Sequence, residues 1–548
     1  MAKWISRGIA VVITTLLGVW INYLAMPAWN IRSVGMWGFF AAILVIQIII
    51  FAICEKITTH WNSNGAFKEY GCTIISSILI GIILVGMLVC GLTSSHMFNA
   101  NRYHNMISME EGKFDSDIPK VSEEMQLSIV DVATAEKVGD RTVGSIKNAT
   151  WYEVDDEYNL IKYQDKYYRI SELNYGGLFK YNKAKYDGIP GYVLVDATTQ
   201  EAQYVELKNP IRYSPSGHFS HLLKRHLRKQ YPSYMFDKSF FEIDEEGNAY
   251  YITGVEEPTI GVYGGKIVES FIITDAYTGE CKEYKTKNLP DWVDHAYSLD
   301  YLMRVTNNNQ AYVNGFWNSL FSQTGVNVTT YEYKGAEFAG YNTAIDANGD
   351  IVFYTGVTPA SGAESNLGFI LANPKTGEIK YYTCSGAEES SAQNAAQGLV
   401  QNLGYTATFP TILNVDGEET YFMLLKDNAG LVQRYALANI KDYTKVVQAE
   451  TFEETLRLYK EKIGAEASEN PTEKEEILTK EGIIQNIYQA EIDGCTYYYF
   501  IIEGNTDLYM SSIKNSNKQV ILKTGDKISI EYKKSSEEGI YLVTKIKF

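Results

Sequence analysis

Three long apolar segments near the N-terminus limit what this chain can fold into more than anything downstream. Residues 8–28, 34–54 and 71–92 carry no ionised side chain, and each is close to the roughly 20 residues that a helix needs to cross a bilayer core. They predict three transmembrane helices. A signal peptide is the competing reading of the first segment, since Lys3 and Arg7 precede it and Ala25 and Ala28 are small. Its length and the two segments that follow oppose that reading. Lys3, Arg7, Lys56 and Lys68 lie on one side and Arg32 alone on the other, so the positive-inside rule predicts a cytoplasmic N-terminus and an extracellular C-terminal part. Ion pathways and proton relays use intramembrane charge. Its absence here argues against a transporter and for an anchor, or a docking face for another membrane protein.

Charge divides the chain at the same place. Residues 1–98 carry Lys3, Arg7, Arg32, Lys56 and Lys68 against Glu55 and Glu69, net +3, so the remainder holds −20 of the −17 total. With that remainder expected outside the cell, and fold alone giving no function, no nucleic-acid partner is expected. The six cysteines split between Cys54, Cys72 and Cys90 at the apolar segments and Cys281, Cys384 and Cys495 far apart beyond them. No C-x-x-C or metal-ligand spacing occurs, so neither a disulfide framework nor a metal or other cofactor is expected.

Beyond residue 126 the text is β-rich and repeats itself. Residues 270–284 read S-F-I-I-T-D-A-Y-T-G-E-C-K-E-Y, 192–205 read Y-V-L-V-D-A-T-T-Q-E-A-Q-Y-V, and 369–382 read F-I-L-A-N-P-K-T-G-E-I-K-Y-Y. Each is an apolar run, an Asp or Asn, a Thr, a Glu and a second run, which predicts a β-hairpin. Asp196, Asp275 and Asn373 can accept from backbone two residues on, while Gly279 and Gly377 supply positive φ and Gln200 does so less readily. Wide, unequal spacing indicates duplicated subdomains. The expected organisation is 1–95 membrane anchor, 96–125 stalk, 126–210 first β-rich unit, 211–310 second unit, 311–450 third α+β unit, 451–480 helix and charged linker, and 481–548 a small β-barrel, OB-like in its strand number.

The strongest helical pattern outside the apolar segments is 215–230, with Ser214 as N-cap and Pro215 at the first position. Phe219, Leu222, Leu223, His226 and Leu227 form its apolar stripe. His221, Lys224, Arg225 and Arg228 lie on the other side as a basic face in an acidic surround, either a solvated face or a contact for lipid headgroups or anionic wall polymers. Phe316-Trp317-Asn318-Ser319-Leu320-Phe321 is expected to be buried as an anchor between subdomains.

The succession helix, strand, strand, hairpin resembles the PepSY type of domain, carried by Y-S-P-S-G-H-F (213–219), H-L-R-K-Q-Y-P (226–232), F-E-I-D-E-E-G-N-A-Y (241–250) and T-D-A-Y-T-G-E (274–280). With G-F-W-N-S-L-F (315–321), Y-T-G-V-T (354–358) and L-G-Y-T-A-T-F-P (403–410), residues 126–445 are similar to uncharacterised membrane proteins of Gram-positive type. That resemblance implies a module that binds or restrains a partner protein, and it carries no established activity onto any residue.

Local catalytic signatures are missing. Residues 261–266, G-V-Y-G-G-K, are too short for a phosphate loop, and 346–350, D-A-N-G-D, lack the distal Glu of a calcium loop. No H-E-x-x-H or G-x-S-x-G occurs. The expectation is a non-catalytic envelope protein that binds a partner protein or anionic polymer at the membrane. A cell-wall or glycan hydrolase with dispersed carboxylates and an accessory subunit of a membrane complex are the alternatives.

Overall fold

The computed structural model describes residues 2–59, 70–122, 128–145, 148–331, 340–361, 365–467, 478–492, 495–504, 506–534 and 539–547. Residues 468–477 of the helix and charged linker expected at 451–480 lie outside these residues, as does Lys68. The chain divides into two compact units, Met1–Lys462 and Ile463–Phe548.

The first unit begins with helices Ala2–Ala25, Val34–Thr59 and Gly71–Thr93, all three long and apolar enough to cross a membrane. One carboxylate ties them together at one end. Glu55 takes the Arg7 guanidinium at 2.7 Å and accepts from the backbone of Cys72 and Thr73 and the Thr73 hydroxyl.

Four sheets follow, antiparallel except for one short strand added in parallel to the third, and each ends in a four-strand antiparallel meander. The first contains Lys166–Tyr175, Ile189–Asp196 and Ala202–Ile211; the second runs Met235–Ile243, Ala249–Ile260, Gly264–Asp275, Cys281–Tyr284. The third is built on Ile351–Pro359, Ser365–Ala372 and Ile379–Ala387, the fourth on Thr411–Val415, Glu418–Lys426, Val432–Asn439 and Val446–Ala449. A helix precedes or flanks each meander: Val132–Gly139, Leu223–Gln230, Leu299–Ala311 and Glu389–Leu399. The expected third unit, 311–450, therefore holds two sheets.

Side-chain alternation explains why the central strands read as unbroken apolar runs. In the second sheet Tyr251 and Ile272 enter a core shared with the first sheet. Their neighbours Ile252, Phe271 and Ile273 enter a core shared with the third. In the third sheet Phe353 and Ile370 face the second, while Tyr354, Phe369 and Leu371 face the fourth. Both faces of the second and third sheets are buried, so a polar alternation would have no place to go.

The repeated turns are superimposable in their bonding. Asp196, Asp275 and Asn373 each accept from the backbone N–H groups two and three residues on. Thr199, Thr278 and Thr376 each accept from the N–H of the following Glu. Gln200, Gly279 and Gly377 stand at φ +64°, +75° and +75°. A fourth copy escaped the pattern because it is one residue longer: Asn439 accepts from Asp442 and closes on Lys445.

Residues 96–122 are not a free stalk. Helix His96–His104 follows the third apolar helix, Glu110–Glu111 pairs in parallel with Lys380 and Tyr381 of the third sheet, and Tyr103, Ile118 and Val121 are buried. Glycines set the close approach: a Cβ on Gly264 would lie 2.2 Å from the Tyr103 hydroxyl, and one on Gly261 would lie 2.3 Å from Ser94 Oγ. Ser94 Oγ accepts from Val262 and Tyr263. The 261–266 turn is thus a seat for the end of the third apolar helix.

The second unit is a closed five-strand barrel. Leu478–Ile492, Cys495–Ile502, Leu508–Ser512, Ile540–Lys547 and Lys527–Lys534 are neighbours in that order, with a parallel contact between the third and fifth strands in sequence. Ile484, Phe500, Tyr509, Ile530 and Val543 fill it.

Candidate functional site

The basic face predicted on 215–230 takes a different form. A helix covers only Leu223–Gln230, and Ser214 instead pairs with Leu222, receiving Leu223 N–H at 3.0 Å. Phe219 at φ +54° and the tight contact of Gly217 with the His221 backbone turn the chain away from a continuous helix. Two of the four predicted residues are committed to backbone carbonyls. Arg225 donates to Phe219 O at 2.7 Å and Tyr23 O at 3.2 Å, with its guanidinium 4.0 Å above the Tyr23 ring. Arg228 donates to Met26, Tyr231, Pro232 and Tyr234 carbonyls. His221 Nδ1 meets the Tyr181 hydroxyl at 3.1 Å, and burial lowers its pKa. Lys224 is exposed. The face therefore clasps the segment after the first apolar helix, helped by Trp29 N–H to Pro232 O at 2.8 Å.

A second site has no linear signature. The four sheets converge on one cavity of about 490 Å³. Strands of the first sheet bring Asn159 and Arg169, the second brings Lys238 and Phe240, the third Asn342 and Phe353, and the segment before Thr411–Val415 brings Thr408 and Phe409. The N-termini of two helices also border it, capped by Asp131 to Thr134 N–H and by Ser298 to Tyr301 N–H.

Arg169 is the centre of its electrostatics. Only 4% exposed, it donates to Val130 O at 2.5 Å, Tyr158 O at 3.2 Å and Thr343 Oγ1 at 3.2 Å, all neutral acceptors. Burial lowers its pKa, with Asp131 opposing the shift, and a guanidinium stays charged even so. Asp131 is itself engaged by Lys426 at 2.5 Å. Burial raises its pKa, but Lys426 and the Thr134 bonds outweigh that and hold the carboxyl below its usual range. It remains an anion and is no proton donor near neutrality. Asp300, at the rim, accepts from the Tyr331 hydroxyl at 2.6 Å. The cavity thus offers a buried cation, a second cation in Lys238, the carboxyl groups of Asp131, Glu136 and Asp300, amide and hydroxyl groups, and aromatic faces.

Beside it lie two neutral buried partners. His295 Nδ1 and Glu242 Oε1 are 3.2 Å apart. Burial pushes Glu242 up to about 8 and His295 down to about 4. Near neutral pH this is a carboxylic acid facing an unprotonated imidazole, not an ion pair.

No family model matches the chain, and no curated protein matches it. Among solved structures, Trypanosoma rangeli sialidase in complex with sialic acid aligns at 10% identity over 79% of this chain, with a TM-score of 0.15. The chain spans 56% of that protein's length, and the resemblance is too slight to describe the fold.

Proposed function

We propose that this is a membrane-anchored, non-catalytic binding protein of the cell envelope, with its N-terminus in the cytoplasm and its β-rich part outside. In this reading the helix-plus-meander units are PepSY-like and the terminal barrel is OB-like, a description supported by strand order and the parallel contact between the barrel's third and fifth strands. The ligand is an anionic group on an envelope polymer or partner protein, seated in the convergent cavity and not along the basic helix. The observation that carries this is Arg169, a buried cation that donates to the Val130 and Tyr158 carbonyls and the Thr343 hydroxyl, all neutral acceptors, within reach of aromatic walls. A charge buried without a full counter-charge favours an anionic ligand.

Native mass spectrometry of the full chain extracted from its own membrane tests this. Ala133, exposed at the cavity wall, is changed to Trp to fill space without opening the core. Wild type and Lys224→Glu should retain an adduct that Ala133→Trp loses. No adduct on the wild type, or one lost only in Lys224→Glu, overturns the cavity assignment.

A further inference from the structure

The 316–321 cluster is not the buried anchor its sequence suggests. Trp317 is 58% exposed and Phe321 78%, their rings stacked at 5.9 Å. The cluster occupies helix Phe316–Leu320, just after Leu299–Ala311. The end of that longer helix is fixed beside the third apolar helix: Tyr312 stacks on His96 at 5.1 Å, and Asn309 and His104 bond each other's backbone. His96 comes three residues after Thr93, where the apolar helix ends.

A second exposed aromatic pair lies where the first apolar helix ends. Phe179 is 86% exposed and Phe219 53%; Phe219 lies 6.3 Å from the ring of Tyr181, on the same helix Leu178–Ala184 as Phe179. Phe219 O is held by Arg225, which also covers Tyr23 in the last turn of Ala2–Ala25. Phe219 keeps a left-handed φ of +54°, a conformation unfavourable for a bulky side chain, and still presents its ring to the outside. Strain of that kind persists where surrounding structure enforces it.

We infer that these two prongs insert into the headgroup and acyl boundary of the same bilayer that the apolar helices cross, so that the β-rich part lies seated on the membrane and does not hang from it. Continuity with the helix ends selects lipid as the occupant. Both prongs stand at the level where an apolar helix leaves its hydrophobic segment, and aromatic rings favour that layer. Lys183 and Lys185 beside Phe179, with the exposed Lys224 beyond Phe219, add the cationic rim of interfacial segments. Tethering by the helices makes each insertion intramolecular, so two rings on each prong suffice for occupancy. The inference does not depend on the cavity.

The test uses the full chain in phosphatidylcholine nanodiscs, with and without lipid brominated near the carbonyl end of its chains. The difference in fluorescence between wild type and Trp317→Phe reports Trp317. Phe179→Trp in the Trp317→Phe background reports the other prong. Insertion gives blue-shifted difference spectra that lose most of their intensity in brominated discs and resist iodide. Red-shifted emission quenched by iodide overturns the inference, because the rings are then in water. Emission shielded from both quenchers also overturns it, because protein, such as a second copy, then covers them.

Discussion

At the scale of single residues, the unusual feature is acid groups held neutral. Glu172 is buried against the Tyr251 hydroxyl, and burial pushes its pKa up to about 8. Glu242 beside His295 behaves alike, and burial raises neighbouring Asp294 to about 7. Unfolded Glu carboxyls titrate near 4.5 and Asp near 3.8, so over the interval up to about 8 the native state binds more protons than the unfolded one. Linkage then makes stability fall as pH rises, with the contribution complete below about 4.5 and lost through about 8. Thermal melting of the full chain should show Tm dropping by at least about 5 °C from about pH 6 to about pH 9. Glu242→Gln and Glu172→Gln, which stay neutral, should each flatten that drop. An unaltered slope in both would show that these carboxyls ionise freely in the fold. Asp131 works in the opposite direction: its pKa is lowered by Lys426, so its contribution is present above the ordinary carboxylate range and lost in acid. None of this could be read from Phe240-Phe241-Glu242-Ile243, where Glu242 looks like an outward polar residue. It is a long-range partner, 53 residues away, that makes the position interior.

At the scale of elements, the turn chemistry was the most legible part of the chain. Asp or Asn, Thr, Gly and Glu recur because each has a fixed bonding task in the hairpin, and only the left-handed position varies. Gln200 occupies it in the first copy at φ +64°, where an L side chain costs about 1–2 kcal/mol. Gln200→Gly should therefore stabilise the chain by up to about 1 kcal/mol after the entropy of the added glycine. Gly279→Ala should destabilise by about 1–3 kcal/mol, since its Cβ would also lie 2.6 Å from the Tyr213 ring. Chemical denaturation of the pair gives the sign of each. A loss of stability in Gln200→Gly would mean that Gln200 makes compensating contacts. Less was legible where an element depends on tertiary approach. The glycines of 261–266 are too short a run for a phosphate loop, and their use is proximity to Ser94 and Tyr103. Gly264→Ala should lower Tm and expose the junction after Thr93 to protease, whereas Gly91→Ala, open to space on the apolar helix, should do neither. Equal protection in both variants would remove the docking role of the turn. The basic helix is shorter than its pattern for a related reason, since helical periodicity runs through Phe219 although its φ is incompatible with a right-handed turn.

At the scale of the whole molecule, the apolar runs predict strands and hairpins, and it is the structure that buries some of those strands on both faces. The runs could not say which sheet faces which, because that pairing joins residues a hundred positions apart and leaves no local period. The cavity was invisible for the same reason: its walls come from separate sheets, the first three contributing two or three strand residues each. The terminal barrel is the opposite case. Five strands from one contiguous stretch close on themselves, leaving no open edge to be covered by another element. Its core of Ile484, Phe500, Tyr509, Ile530 and Val543 is entirely its own. At about 70 residues it is small, yet within the size range of domains that fold alone. Residues 478–548 expressed without the preceding chain should accordingly melt cooperatively and give dispersed amide resonances. Residues 1–467 in detergent should keep the Tm of their own transition. A fragment with collapsed amide dispersion would show that the barrel's closure requires the rest of the chain, and the two-unit division would then describe spatial compactness without folding independence.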